Sequence, residues 1–254
     1  MKILILGHLP RKAGYDYTPM EKKLKPYVAA GTTLHFDSPD DFDGSMAQKV
    51  LGKQQMLNGL DHAMATASLV RKVVWAAENG FDAVVQSNNF DPGVEAARLS
   101  VSIPVIGIFR TALHVAANLA DRIGIMVPLE SHIPYTWRLL RTYGMEDAVV
   151  DIRSLGIYGD DLKDRLPEIT DKSVSLIRGL TKESGAQFIV PLGGALIPAV
   201  VDPARLQELT GVPVINTTLA AVRFAETCVA TGLSQSPLCY PCGDLTYADV
   251  TRRA

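Results

Sequence analysis

Cysteine is scarce in this chain of 254 residues: three occur, Cys228, Cys239 and Cys242, all in the last tenth. An odd number gathered at one end makes no disulfide framework and suits a reducing cytoplasm, which is the expected location. The Cys239-Tyr240-Pro241-Cys242 spacing is that of a redox pair or half a zinc site, yet no second Cys or His pair follows it, so no metal is assigned. An excess of either charge is also missing. With a formal net charge of −2, nothing favours nucleic acid or an anionic membrane as partner. Long apolar runs are absent too: Lys2-Ile3-Leu4-Ile5-Leu6-Gly7 is too short for a signal-peptide core and far short of the ~20 residues that span a bilayer. It reads as a buried first strand. No Gly-x-Gly-x-x-Gly, Walker A, His-Glu-x-x-His or Gly-x-Ser-x-Gly pattern occurs, so nucleotide, zinc-protease and serine-hydrolase readings have no support.

What is present is a core-forming chain, with 47% hydrophobic and 20% charged residues, values that exclude disordered and fibrous classes. Short β-branched runs alternate with longer amphipathic stretches, the pattern of parallel strands joined by helices. Strands are expected at 2–7, 32–37, 82–87, 104–109, 122–127, 148–155, 187–193 and 213–216. Residues 48–79 carry Leu57, Leu60, Met64, Val70, Val73 and Val74 at helical spacing, and 92–100, 111–120, 132–143, 171–183, 202–210 and 218–231 also read as helices.

A weak internal repeat runs through this pattern. Asp82-Ala83-Val84-Val85-Gln86-Ser87-Asn88-Asn89 lies beside Gln187-Phe188-Ile189-Val190-Pro191-Leu192-Gly193-Gly194, each an apolar strand ending in small or polar residues. Each leads through a helical stretch into a matching strand start, Ile103-Pro104-Val105-Ile106-Gly107 or Val212-Pro213-Val214-Ile215-Asn216. Arg122-Ile123-Gly124-Ile125-Met126-Val127 likewise parallels the first strand. The expected fold is therefore α/β: two similar Rossmann-like lobes with parallel sheets, pseudo-two-fold related. Lobe one takes residues 1–110 plus 217–254, with a C-terminal closing helix, and lobe two takes 111–216. Ligands of open α/β sheets sit at the carboxyl ends of strands, so a cleft between the lobes is expected at 7–12, 87–91, 127–132 and 192–196.

His8 and His132 fall on the matching first-strand loops of the two lobes, and histidine titrates nearest neutrality, so both are candidate proton carriers. A cap or surface role is the plain alternative for each. His35 falls in a strand pattern, His62 on a long helix with an expected solvent face, and His114 in an alanine-rich helix where packing is the default. Asp91, in an Asp-Pro-Gly context, is expected to cap the following helix rather than to act as a base. Arg11, Lys12, Tyr15 and Tyr17 form a polar loop that either closes over a small anion or is simply solvated. Asn216, Thr217 and Thr218 either present polar groups to the cleft or cap the last long helix.

Asn88-Asn89-Phe90-Asp91-Pro92-Gly93, followed by Ala96-Ala97-Arg98 and Ile103-Pro104-Val105-Ile106-Gly107-Ile108, resembles the first signature of hydantoin and allantoin racemases, where a cysteine, two residues and Asp-Pro-Gly end the strand. Leu192-Gly193-Gly194-Ala195 resembles the second, Leu-Gly-Cys with small residues. The chain thus resembles the aspartate/glutamate/hydantoin racemase superfamily over nearly its whole length. The resemblance implies a homo-oligomeric enzyme acting, without metal or pyridoxal cofactor, on a small carboxylate or cyclic amide. In that family one thiol from each lobe faces the acidic carbon. Here the two thiol positions fall on Asn88 and Gly194, and neither residue carries a proton near neutral pH. The anion-binding frame is expected to remain, with Ser87, Asn89, Gly193, Gly194, Ala195 and Thr217 as substrate-binding candidates and Asn88 beside His8 and His132 in the chemistry. Two functions follow: a thiol-free racemase-like isomerase, decarboxylase, lyase or hydrolase, or a non-catalytic small-anion binding or regulatory protein. Cys228 lies ten residues into a helix and reads as a buried structural thiol.

Overall fold

A computed structural model describes residues 1–8, 16–39, 59–158, 161–243 and 245–251. Among these residues the strands are β1 (Lys2–Leu6), β2 (Thr33–Asp37), β3 (Ala83–Gln86), β4 (Val105–Gly107), β5 (Ile123–Val127), β6 (Val149–Ser154) and β7 (Phe188–Pro191). The helices are α1 (Thr18–Leu24), α2 (Leu60–Glu78), α3 (Val94–Arg98), α4 (Ile108–Ala117), α5 (His132–Tyr143), α6 (Leu166–Ser184), α7 (Pro203–Thr210), α8 (Thr217–Thr231) and α9 (Tyr247–Thr251).

The chain divides into two compact units. The first gathers the described residues of Met1–Ala47, Leu60–Ile108 and Ala221–Ala254, and the second those of Gln48–Gly59 and Phe109–Ala220. In the first unit a parallel sheet runs β2-β1-β3-β4. Its central strand β1 is a continuous apolar run because both faces are covered, whereas the edge strand β2 leaves Thr33 and His35 exposed. The core is built by Leu4 and Leu6 of β1, Val84 of β3, and Ala65, Leu69, Val73 and Ala76 of α2. Burying a side chain such as Leu69 contributes ~1.5–3 kcal/mol. α9 lies against α2, with Tyr247 and Val250 packed on this core and the Tyr247 N–H donating to Glu78 Oε1 at 3.0 Å.

The second unit repeats the arrangement with a parallel sheet ordered β6-β5-β7, and Val214 adds a single parallel bridge to Ile189. Met126, Ile177, Leu180, Ile189, Leu196, Ile197 and Leu206 form its core. α6 and α7 end on glycines in the left-handed conformation, Gly185 and Gly211, and α7 starts at Pro203 with Asp202 Oδ1 accepting from the Ala204 N–H at 2.9 Å.

Several expectations need correction. Residues 213–216 form one bridge rather than a strand, because only Val214 reaches Ile189 before Asn216 caps α8. The run 104–109 is strand only to Gly107, and Ile108 already begins α4. α6 starts at Leu166, five residues earlier than its apolar spacing indicated, with Pro167 at its first turn. In the expected helix 48–79, residues 48–58 lie outside the described residues. The buried stripe of its remainder is Ala65, Leu69, Val73 and Ala76, while Leu60 and Met64 are exposed.

Candidate functional site

Parallel pairing of β1 with β3, in the register Leu6 to Gln86, sets the loops that follow the two strands side by side at their carboxyl ends. Gly7 and His8 form one loop, and Ser87 to Gly93 the other. The second is folded on its own polar groups. Gln86, buried at the strand end, accepts from the Asn88 N–H through Oε1 at 2.6 Å. Ser87 donates both its N–H and its hydroxyl to the Leu6 carbonyl, at 2.9 and 3.1 Å. Asn88 accepts from the Phe90 N–H through Oδ1 at 2.9 Å, and its carbonyl accepts from the Asp91 N–H at 3.0 Å. Asn89 is buried within the same turn.

With Oδ1 committed to Phe90, the Asn88 Nδ2 faces two imidazoles. It stands 2.9 Å from His8 Nδ1 and 3.5 Å from His62 Nε2. The first is a formed hydrogen bond and the second lies at the outer limit. The His8 and His62 rings meet edge to face at 5.7 Å, and Phe90 backs His62 at the same centroid distance. Asp61 Oδ2 is 3.9 Å from His62 Nε2, and both residues are 3% exposed. Burial pushes the His8 imidazole down to about 3, His62 lowers it further, and the Asp61 carboxylate opposes the shift.

His62 is the residue that sequence reasoning missed. It was placed on a solvent face, yet it is buried at the start of α2 and abuts Asn88. Helical phase gives the one available signal: Asp61 leads into the stripe Ala65, Leu69 and Val73, and His62 is three residues before Ala65. Asp91 also departs from expectation. α3 begins after Gly93, which is its cap residue in the left-handed conformation, and the Asp91 carboxyl is turned against Gly107 at the end of β4. Asp91 itself holds a positive φ of 49°. Tyr17 is held by a hydrogen bond to Ser38 Oγ at 2.7 Å and a stack on Phe36, so it is not part of a free loop. Arg11, Lys12 and Tyr15 lie outside the described residues.

In the second unit, β7 ends in a turn at Leu192–Leu196. Gly193 takes a φ of +96°, and its carbonyl accepts from the Leu196 and Ile197 N–H groups at 2.8 and 3.1 Å. The N–H groups of Gly193, Gly194 and Ala195 make no hydrogen bond with a described residue; Gly193 and Gly194 are half-buried and Ala195 is exposed. Such a row of free donors suits an anion. Thr217 is fully buried as the first residue of α8, and the cap of that helix is Asn216, whose Oδ1 accepts from the Leu219 N–H at 3.0 Å. His132 is buried as the first residue of α5, the helix expected at 132–143, and its N–H donates to the Leu129 carbonyl at 3.0 Å. His8 and His132 thus belong to different units. His35 and His114 are exposed, which for His114 replaces the expected packing role.

Cys228 is buried on α8 with its thiol pushed up by burial, while Cys239 is exposed and Cys242 half-buried. Among the described residues no three His, Cys, Asp or Glu side chains gather to hold a metal ion. No helix among them is long and apolar enough to cross a membrane.

A family model described as Asp/Glu/Hydantoin racemase matches residues 51–225. A hydantoin racemase of Rhizobium meliloti is 32% identical over 181 residues, which cover 70% of this chain and 73% of that one. A hydantoin racemase of Paenarthrobacter aurescens is 32% identical over 240 residues, covering 93% and 94%. Among solved structures, the allantoin racemase from Klebsiella pneumoniae is 26% identical and superposes with a TM-score of 0.77 over 100% of this chain and 95% of that one. A family model matched across more than half of the chain, together with relatives aligned over most of both sequences, places this protein in the Asp/Glu/hydantoin racemase family.

Proposed function

We propose that this protein is a thiol-free enzyme of its family, acting by racemase- or isomerase-like proton transfer on a small cyclic amide of the hydantoin type or a small carboxylate. The observation that carries the proposal is the strand-end cluster of the first unit. Where the resemblance puts a family thiol, Asn88 instead gathers His8 and His62 into hydrogen-bond reach. Proton transfer next to a carbonyl passes through an enolate-like anion: a histidine, an aspartate or a bound water takes the proton from the acidic carbon and returns it, while fixed donors held in a partly dry site stabilise the anion. The free N–H groups of Gly193, Gly194 and Ala195 supply donors of that kind in the second unit. The names of the relatives suggest hydantoins and allantoin as first substrates. Decarboxylation needs the same anion stabilisation without a base, so arylmalonates belong in the same panel.

The test is solvent deuterium exchange at the acidic carbon of hydantoins, allantoin, aspartate and glutamate, alongside product formation from arylmalonates and maleate. Exchange or turnover that collapses in Asn88→Ala supports the reading. No exchange and no turnover across the panel at any pH removes it. A second reading, a small-anion binding or regulatory protein, is favoured by the lack of a thiol at both Asn88 and Gly194. It predicts thermal stabilisation by a panel compound with no turnover. The protein is further proposed to be a cytoplasmic homo-oligomer; sedimentation at 27.5 kDa at micromolar concentration would refute the assembly.

A further inference from the structure

The chemistry of His8 follows from the hydrogen bonds of Asn88. A backbone N–H, that of Phe90, donates to Asn88 Oδ1, and this fixes which end of the amide is oxygen. The opposite end is an NH2 group, which donates and accepts nothing. At 2.9 Å from Nδ2, His8 Nδ1 must therefore present its lone pair. In a neutral ring the hydrogen then sits on Nε2. No described residue hydrogen-bonds that Nε2, and His8 keeps part of its surface exposed, so the N–H is open to a ligand.

We propose that His8 is a neutral hydrogen-bond donor to an oxyanion, its tautomer set by Asn88 as a positioning residue, rather than the general acid/base its histidine identity suggested. The ligand atom it takes is the developing enolate oxygen, or a carboxylate oxygen, of the substrate; this clause rests on the function proposed above. A neutral imidazole suits the task, because a donor that stays uncharged does not trap a carboxylate ground state as tightly as an imidazolium does. The surroundings oppose protonation of His8. A proton added at Nδ1 would point at the Asn88 NH2 group, and His62 of α2 packs its ring edge to face against His8. Asp61, also of α2, favours the charged ring. Depression of His8 to about 3 agrees with the geometry.

The experiment is nitrogen NMR of the full chain labelled in its histidine rings, with His8→Gln used to assign the His8 signals. The expected wild-type result is an Nε2–H tautomer with no titration between pH 5 and pH 8. An Nδ1–H tautomer, or a midpoint near 6.5, overturns the proposal. Asn88→Asp replaces the donor by an acceptor and should drive the hydrogen to Nδ1 and bring the midpoint up into the measured range. Should that variant fail to fold, Asn88→Ala, which removes the donor, should still raise the midpoint. Activity supplies a second arm. His8→Ala should lower kcat by ~10²–10³ as expected for loss of one oxyanion donor, and His8→Gln, which restores an N–H, should recover at least tenfold of that. Recovery with an unchanged pH profile supports a donor, and equal loss in both variants overturns it. The tautomer is measured without substrate. A correct tautomer with no turnover on the panel therefore defeats the proposed function and leaves the locked tautomer standing, whereas a wrong tautomer defeats the inference whatever the turnover.

Discussion

Asn88 Nδ2 donates to Nδ1 of His8 across 2.9 Å, and the folded protein keeps that imidazole neutral far below the ordinary histidine range. The unfolded chain takes up this proton near pH 6.5, and the folded chain only near 3. Between these values the unfolded state holds more protons, so stability rises with pH. The contribution of His8 is complete above 6.5, falls as the pH drops, and levels off below 3. Its slope is at most ~1.4 kcal/mol per pH unit, reduced because the ring is partly exposed. Thermal melts from pH 4.5 to 7 should show a steeper loss for wild type than for His8→Asn. Parallel curves would contradict it.

A buried ion pair, Lys72 Nζ to Asp37 Oδ2 at 2.8 Å, ties α2 to the end of β2, with the two side chains 6% and 12% exposed. Lys72→Met takes the cation from a largely buried carboxylate and should cost roughly 3–5 kcal/mol. The double variant Asp37→Leu with Lys72→Met should lose much less, since no charge is left unpaired. Urea denaturation of the three proteins measures both, and a single variant within about 1 kcal/mol of wild type would show that water reaches the pair.

Gly107 matters because of what faces it. A Cβ there would lie 2.5 Å from Asp91 Cγ, at the point where the site loop turns back against β4. Gly107→Ala should therefore destabilise by ~1–3 kcal/mol through overpacking. It should also shift the His8 ring signals, because Asp91 lies in the turn that begins with Asn88. Adding Asp91→Gly removes the obstructing carboxyl and relieves the positive φ, so it should restore part of the loss. A Gly107→Ala protein with wild-type stability would mean that the loop yields freely.

The cysteines should be dispensable for activity. Cys228 is buried with a raised pKa, a poor nucleophile and a poor base, and Cys239 and Cys242 lie beyond α8. A triple serine variant should keep its deuterium-exchange rate within a few-fold and lose stability chiefly through Cys228. If it is folded but inactive while His8→Ala is fully active, the chemistry belongs to a C-terminal thiol.

The alternation of apolar runs and amphipathic stretches was enough to specify parallel strands joined by helices, because a strand covered on both faces is mostly apolar, as β5 and the interiors of β1 and β3 are. The internal repeat is matched in the sheets: β1 lies between β2 and β3, as β5 lies between β6 and β7. Both signature loops were legible because Asp-Pro-Gly and Leu-Gly-Gly are backbone chemistry, written locally in residue type. Of the two partners of Asn88, His8 stands among the candidates of the sequence and His62 does not. His62 is 26 positions away in sequence and Lys72 is 35 positions from Asp37, and each was decided by the rotation of α2 on its sheet. The buried stripe of α2 includes small residues, Ala65 and Ala76. A hydropathy pattern weights Leu60 and Met64 instead, and both proved exposed. Tertiary packing alone therefore decided that a histidine expected to face water stands next to Asn88.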